Sequence, residues 1–271
     1  CLTILLKNSR MKIKKKRKIK DLNIIYIGNE EIGIEVLKKI LKNRIKINFK
    51  SVITKKKSKQ TLLLQKKYNL KFIYTGKKRI NEFYSVLKKI NPELIIEFGW
   101  SELFNEKILS LCPIIGQHPS LLPKRRGRAP ITSSILDGLK KSAVTIFYLD
   151  KGVDSGNIIY QKKFKISNSD DSNSLLYKIN NLLYFINKKY IKRYPFNPSI
   201  KQNHKFATYT KKRSLKDSEI NLDMNLKEID RYKRALVEPY YPLPFLKNKY
   251  GDIIQLKEIR LIKKNVFYKK K

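Results

Sequence analysis

Two groups with the chemistry of acid–base catalysis follow two apolar runs of this chain. His118 ends an apolar run that begins at Ile114, and a proline follows it. Asp154 lies in a glycine-flanked turn after the run Val144–Leu149. An imidazole and a carboxylate that meet at two strand ends can transfer protons or activate a nucleophile. We therefore predict that His118 and Asp154 are the catalytic residues.

Two other kinds of site fit these residues less well. A serine hydrolase needs an exposed nucleophile, and the sequence has no G-x-S-x-G segment. Ser120 is too close to His118 in the chain for a serine–histidine pair of good geometry. The chain has two histidines and two cysteines, without metal-ligand spacing. We predict neither a serine nucleophile nor a metal site.

The segment before His118 alternates between strand and helix patterns. Apolar residues at helical spacing separate apolar runs of strand length. This alternation predicts an α/β fold with a doubly wound, mostly parallel sheet. Ligands of such sheets bind outside the carboxyl ends of the strands, so we expect Phe98, Gly99 and Trp100 to share a crevice with the His118 loop. The three clearest strand runs are Asn23–Gly28, Phe49–Thr54 and Leu94–Phe98.

The first of these strands leads into a glycine-containing turn. Gly28–Gly33 lacks the middle glycine of a dinucleotide-binding turn and the lysine–serine end of a P-loop. We interpret it as a close connection between a strand and a helix.

The chain after His118 divides into a loop, further regular elements and a composition break. Leu122–Pro130 contains prolines, a glycine and arginines without periodicity, which is typical of a substrate-holding loop. We predict a basic N-terminal arm at residues 1–21, a catalytic domain at 22–200 and a small C-terminal lobe at 201–271. The further helices and strands that we predict are Ile131–Leu139, Ala143–Leu149, Asn157–Ile166, Ser174–Tyr190, Leu226–Leu236, Ile253–Lys257 and Glu258–Ile262.

The net charge of +40 invites a nucleic-acid or membrane-surface partner. The lysines are scattered over every segment, however, and abundant lysine, isoleucine, asparagine and tyrosine are typical of composition drift. The two cysteines are far apart, and no apolar run is long enough for a membrane span. We expect a cytoplasmic protein without a membrane partner, and drift is our preferred explanation of the charge.

Several motifs together carry a resemblance over roughly Leu22 to Ile166. The sequence resembles the formyltransferase family, which transfers a formyl group from 10-formyltetrahydrofolate to an amine. That family includes methionyl-tRNA, glycinamide ribonucleotide and sugar-nucleotide formyltransferases. The matching pieces are His118–Pro123, Arg126–Gly127, Pro130–Ile131, Val144–Thr145, Asp154–Gly156, Ile158 and Gln161.

The resemblance implies a Rossmann-like fold, a folate cosubstrate and roles for particular residues. His118 would stabilise the developing oxyanion and then donate a proton. Asp154 would orient His118 and help to remove a proton from the attacking amine. The positions expected to contact the folate are Phe98, Gly99, Trp100, Leu121, Leu122, Asp150 and Val153, and those expected to contact the acceptor are Ser120, Arg126 and Gly127.

The chain departs from the family at one catalytic position. The family usually has asparagine two positions before the histidine, where this sequence has Gly116. A missing oxyanion donor typically costs about 10²–10³ in rate. Gln117 should not replace it, because adjacent strand residues point to opposite faces. We expect a water or a differently placed donor to act there.

Two further departures concern the acceptor. Methionyl-tRNA formyltransferases have a longer basic insertion where this chain has Lys55–Lys59, and a barrel-like second domain where it has a small lobe after Phe206. Both favour a nucleotide-linked amino sugar, whose pyrophosphate Arg125, Arg126 and Arg128 could bind. Arg126 could instead only brace its loop. The alternatives are methionyl-tRNA, favoured by the charge, and a nucleic-acid-binding module on an inactive fold; a homodimer is left open.

Overall fold

The computed structural model describes residues 21–45, 47–190, 194 and 198–260. The predicted basic arm therefore lies outside the described residues, apart from Asp21. The strands are β1 (Ile24–Gly28), β2 (Phe49–Thr54), β3 (Phe72–Tyr74), β4 (Leu94–Phe98), β5 (Ile114–His118), β6 (Arg126–Gly127), β7 (Lys141–Tyr148), β8 (Ile158–Lys165), β9 (Tyr209–Thr210), β10 (Phe245–Lys247) and β11 (Ile253–Gln255). The α-helices are α1 (Glu35–Lys42), α2 (Lys59–Tyr68), α3 (Tyr84–Ile90), α4 (Glu106–Leu109), α5 (Pro130–Leu136), α6 (Ser172–Tyr190) and α7 (Leu226–Ala235).

A seven-stranded sheet in the order β3-β2-β1-β4-β5-β7-β8 forms the centre of the fold. The first five strands in this order are parallel, and β7 and β8 are antiparallel to their neighbours. The predicted doubly wound, mostly parallel sheet is confirmed. The carboxyl ends of β1, β4 and β5 consequently meet at one edge, where ligands of such sheets bind.

Helices cover both faces of the sheet, which explains why its central strands are continuous apolar runs. Every residue of β1, β4 and β5 is buried. Residues of α1, α2, α5 and α6 pack on one face, and residues of α3 and α4 pack on the other. Strands that are buried on two faces cannot alternate between apolar and polar residues. The polar residues of β4 and β5 are Glu97, Gln117 and His118, which lie near the carboxyl ends of their strands, and Glu97 is the acid among them.

Most predicted elements are confirmed, and the errors lie in the C-terminal segment. The strands predicted at Phe49–Thr54 and Leu94–Phe98 have the observed bounds. The strand predicted at Glu258–Ile262 is wrong for its described residues 258–260, which are irregular. The partner of β11 is β10, which the sequence analysis missed. Among the described helices, none is long and apolar enough to cross a membrane.

Gly33 packs a helical turn directly against the ends of two strands. A Cβ atom at this position would lie 2.4 Å from Gly28 Cα and 2.6 Å from the Phe98 carbonyl oxygen. The Asn29 side chain accepts hydrogen bonds from the backbone N–H groups of Ile32 and Gly33. The turn is thus a close connection between a strand and a helix.

Gly33→Ala should lower the free energy of unfolding by about 3 kcal/mol, because backbone atoms on two sides must move to admit one methyl group. Chemical denaturation measures the change. Gly76→Asn is the matched control, since Gly76 has no atom within 4 Å of a Cβ position and asparagine tolerates its positive φ. Equal stability of the two variants would contradict the close packing.

Candidate active site

Two structural elements bring His118 and Asp154 together. His118 is the last residue of β5, and Asp154 lies in the connection between β7 and β8. The His118 Nδ1 atom lies 3.5 Å from the Asp154 Oδ2 atom. This separation is long for a hydrogen bond but short enough for one to form after a small movement. The convergence predicted from the sequence is therefore present in the fold.

Backbone groups of the loop after β5 hold both side chains. The His118 Nε2 atom lies 2.7 Å from the Arg125 carbonyl oxygen, which can only accept, so Nε2 carries hydrogen in this contact. Asp154 accepts a hydrogen bond of 2.7 Å from the Gly127 N–H group. His118 is 5% exposed, and both of its ring nitrogens face oxygen atoms. The pair is thus arranged for proton exchange between His118 and a group that displaces one of these contacts.

Arg126 braces this loop from inside the protein. It is 1% exposed, and its guanidinium donates to Gln202 Oε1 at 2.7 and 3.2 Å and to the Tyr209 hydroxyl at 3.1 Å. Gln202 in turn donates to the carbonyl oxygens of Asp154 and Gly156 at 2.9 and 2.7 Å. The structure therefore gives Arg126 the bracing role that the sequence analysis left open.

Gln202 was missed by sequence reasoning, because one polar residue outside any motif gives no signal. It links the Arg126 loop to the Asp154 turn. The residues 209–210 also pair with β6, across the boundary that we predict at residue 200. That domain boundary stays a prediction.

Ser120 and Leu122 hold the backbone beside His118. Ser120 is fully buried, and its hydroxyl donates to the Lys124 carbonyl oxygen at 2.8 Å. The Leu122 carbonyl oxygen accepts from Gln161 Nε2 at 2.9 Å, and the Leu122 side chain packs on Phe147. Acceptor contact by Ser120 and folate contact by Leu122 stay predictions.

A cavity of about 680 Å³ opens at the carboxyl ends of β4 and β5, and Asp154 lines it. His118, which contacts Asp154, is not among the lining residues. Of the residues predicted to bind folate or acceptor, the cavity is lined by Gly99, Trp100, Gly127, Asp150 and Val153. Phe98, Leu121 and Leu122 lie outside its lining, and Phe98 packs in the core against Tyr26.

Two buried polar atoms on this cavity lack protein partners. Within the described part of the chain, neither Trp100 Nε1 nor Gln117 Oε1 has a hydrogen-bond partner. Buried polar atoms are nearly always paired, so unpaired ones in a cavity wall point to a ligand. An indole N–H group and an amide oxygen suit the acceptor and donor edges of a pterin. The residues present therefore fit a folate.

Three cationic side chains line the same cavity. Arg128 donates to the Ser101 carbonyl oxygen at 2.9 Å, and Lys55 lies 2.9 Å from a Glu102 oxygen and 5.2 Å from the centre of the Trp100 ring. Arg79 is the third of them. Arg125, predicted as a phosphate contact, pairs with Asp137 instead. In residues 21–45, 47–190, 194 and 198–260, no cluster of three or more His, Cys, Asp or Glu could hold a metal ion.

Glu97 is the group in this cavity whose acidity is most altered. It is 4% exposed, and burial raises the pKa of its carboxyl group to about 8. The backbone N–H group of Trp100, which donates to Glu97 Oε1, lowers the pKa of Glu97, whereas the charge of Asp154 raises it. The sequence signal was an acid in an apolar strand, and its importance depends on burial that the sequence does not show.

Comparisons with known proteins agree with this fold and site. A family model described as formyl transferase matches residues 22–184. A methionyl-tRNA formyltransferase of Mycoplasma mycoides subsp. mycoides SC is 34% identical over 229 residues, which cover 79% of this chain and 71% of that protein.

Two solved structures are similar in fold. A sugar N-formyltransferase from Shewanella sp. has a TM-score of 0.67 at 18% identity, covering 89% of this chain and 99% of that chain. The N-formyltransferase from Helicobacter canadensis, in complex with folinic acid and dTDP-3-aminofucose, has a TM-score of 0.60 at 26% identity, covering 79% of this chain and 80% of that chain.

The Rossmann-like fold, with His118, Asp154 and a cavity at one end of its sheet, is an arrangement on which a group can be transferred between two substrates. The match over residues 22–184 identifies the group that is transferred. This chain belongs to the formyl transferase family, and it is an N-formyltransferase.

Proposed function

We propose that this protein transfers the formyl group of 10-formyltetrahydrofolate to the amino group of a nucleotide-linked amino sugar. The observation that supports this acceptor is the presence of Lys55, Arg79 and Arg128 on the same cavity as Asp154. Guanidinium and ammonium groups bind phosphate through charge-assisted hydrogen bonds. The cavity volume of about 680 Å³ is in the range of small-molecule sites.

The connection between β2 and α2 also supports a small acceptor. It is short, because α2 begins at Lys59 with Ser58 as its capping residue. Its first lysine, Lys55, contacts Glu102 and the Trp100 ring at the cavity. The resemblance leads us to expect a longer basic insertion here in an enzyme that acts on tRNA.

The proposed reaction forms one bond and breaks another. The acceptor nitrogen attacks the formyl carbon, the bond from that carbon to N10 of the folate breaks, and a proton passes from the acceptor nitrogen to N10. Asp154 takes the proton from the acceptor nitrogen, and His118, whose Nδ1 faces Asp154, donates a hydrogen bond from Nε2 to the formyl oxygen and then a proton to N10. The proton held by Asp154 then returns His118 to its starting state. Because His118 Nε2 contacts the Arg125 carbonyl oxygen at 2.7 Å, this N–H must exchange that partner for the substrate.

Arg128→Ala should raise the KM for the acceptor about tenfold or more and change kcat little. Loss of a charge-assisted hydrogen bond costs about 1.5–3 kcal/mol of binding free energy. The effect falls on KM because the ground state and the transition state need the phosphate contact equally. Steady-state kinetics with a panel of nucleotide-linked amino sugars measure the KM for the acceptor.

Arg260→Ala is the matched control, because Arg260 is exposed in the C-terminal segment and should leave this KM unchanged. A rise in the KM for 10-formyltetrahydrofolate alone would assign Arg128 to the carboxylates of the folate. That result would contradict the phosphate contact.

Methionyl-tRNA is the second candidate acceptor, favoured by the 34% identity to a methionyl-tRNA formyltransferase and by the net charge of +40. Charged initiator tRNA is offered in a parallel assay. Turnover of tRNA alone, with affinity that falls steeply as salt rises, would establish this acceptor instead. A cytoplasmic location and a homodimer stay predictions.

A further inference from the structure

Glu97 lies near the carboxyl end of β4, on the cavity that Asp154 lines. It is the penultimate residue of β4 and lines the cavity together with Asp154 and Gln117. Among the described residues no cation forms an ion pair with it. A buried carboxylate without a cation is costly, so the neutral acid is the favoured form.

Gly116 provides the space for this carboxyl group. The pairing of Ile96 with Ile115 places Glu97 and Gly116 side by side on one face of the sheet, with His118 two residues further along that face. A Cβ atom at Gly116 would lie 3.1 Å from Glu97 Oε2 and 3.1 Å from the Leu149 side chain. Glu97 Oε2 thus occupies the space that a side chain at position 116 would need.

The contacts of Glu97 also fix which oxygen carries the proton. Oε1 accepts a hydrogen bond from the backbone N–H of Trp100, so the acid hydrogen belongs on Oε2, the oxygen beside Gly116. With the pKa of Glu97 at about 8, this hydrogen is present at neutral pH. The other titratable or charged groups on this cavity and on the adjoining strands are Tyr26, Lys55, Arg79, Glu102, His118, Arg128, Asp150, Asp154 and Tyr241.

We propose that Glu97, in its protonated form, donates a hydrogen bond from Oε2 to the formyl oxygen as negative charge develops there. This inference rests on the proposed formyl transfer, but not on which amine is the acceptor. The proton of Glu97 stays on Oε2 throughout, so the bonds formed and broken are those already given. A buried carboxylic acid that is kept neutral is a strong donor to such an oxygen.

Three variants test this role. Glu97→Ala should lower kcat about 10²-fold, the typical loss for one oxyanion donor. Glu97→Gln should recover most of that activity, because its amide is a neutral donor of similar length. The double variant Glu97→Ala/Gly116→Asn should also recover activity over Glu97→Ala, because removal of the carboxyl group makes room for a second kind of amide donor.

The pH profile separates this role from a purely structural one. In the wild-type enzyme kcat should fall as pH rises through about 8, where Glu97 loses its proton, and Glu97→Gln should lack this alkaline decline. Glu93→Gln, at the other end of the strand beside the Asn23 N–H group, is the matched control and should keep the wild-type profile.

Stability against pH tests the state of Glu97 without any acceptor. The folded-state pKa of about 8 lies above the ordinary value of 4.5, so the stabilisation is complete below pH 4.5 and lost as pH rises through 8. The Tm of the wild type should therefore fall relative to that of Glu97→Gln between pH 5 and about 8.5.

Each possible result decides the proposal. A constant Tm difference over that range, full activity of Glu97→Ala, or Glu97→Gln as inactive as Glu97→Ala would overturn it. If the wild type turns over no acceptor, the proposed function fails, and the Tm difference still decides whether Glu97 is held as a neutral acid.

Discussion

His118→Ala is expected to lower kcat/KM for formyl transfer by about 10³–10⁴-fold. Its imidazole lies 3.5 Å from Asp154, and general acid–base catalysis contributes about 10²–10⁴ in rate. The loss should appear in kcat more than in KM, because the hydrogen bond that His118 donates matters most when charge develops on the formyl oxygen. Single-turnover measurements with saturating 10-formyltetrahydrofolate isolate this step.

His118→Gln separates position from proton transfer. The glutamine amide can donate to the Arg125 carbonyl oxygen as His118 Nε2 does, but it cannot carry a proton between groups. We expect it to fold with a wild-type Tm and to remain within about tenfold of His118→Ala in rate. Activity of either variant within tenfold of the wild type would exclude His118 as the acid–base residue, and binding of nucleic acid without formyl transfer would favour an inactive relic of the fold.

The sheet could be predicted from the sequence because its strands are buried on two faces. Such strands, β1 and β4 among them, are mainly apolar runs with distinct ends. β4, and also the less apolar β2 in which Lys50 is exposed, were found at their observed bounds. The convergence of His118 and Asp154 was also predicted, but for an incomplete reason. β7 is antiparallel to β5, so the carboxyl ends of these two strands lie at opposite edges, and Asp154 reaches His118 through the connection between β7 and β8.

The bracing contacts could not be predicted, because they join segments that lie far apart in the chain. Arg126 was expected to meet a ligand or to brace its loop, but its partners could not be named, since Gln202 and Tyr209 lie beyond the last helix of the sheet domain. β6 and β9 have two residues each, which is too short for any periodicity. In the C-terminal segment, β11 was found at Ile253, whereas β10 was missed and Glu258–Ile262 was wrongly predicted for its described residues, since short runs give no clear alternating pattern.

Glu97 shows why a departure from a family pattern can be read only in the fold. In the sequence, Gly116 stands where the family usually has an asparagine donor, so we expected a water or another group to act in its place. In the structure, the neighbouring strand supplies a carboxyl group to the same space. The acidity of that group depends on burial and on Asp154, neither of which is visible in the order of residues.

Asp154→Asn is expected to lower kcat about 10³-fold without loss of fold. Asparagine keeps the oxygen that accepts the Gly127 N–H, and it tolerates the left-handed backbone at this position, where φ is +48°. The change therefore removes the negative charge beside His118 and little else. Loss of the orienting carboxylate of a histidine pair costs about 10⁴ in well-studied cases, which sets the scale of the expected loss.

Asp154→Ala is the comparison that separates charge from backbone support. It removes both the charge and the acceptor of the Gly127 N–H, and alanine is strained at a positive φ by about 1 kcal/mol or more. We expect a similar loss of kcat with a lower Tm than that of Asp154→Asn. If Asp154→Asn kept kcat within tenfold of the wild type, the charge of Asp154 would have no role in proton removal.

Asp154→Asn also tests the electrostatic coupling between the two acids of the cavity, Asp154 and Glu97. The charge of Asp154 raises the pKa of Glu97, so its removal should let Glu97 ionise at a lower pH. The residual activity of Asp154→Asn should therefore decline at a lower pH than that of the wild type. The double variant Asp154→Asn/Glu97→Gln should show no such decline. An alkaline decline that stays at the wild-type pH in Asp154→Asn would mean that the two carboxyl groups do not sense each other, and the cavity would then lack the electrostatic coupling on which the neutral state of Glu97 partly depends.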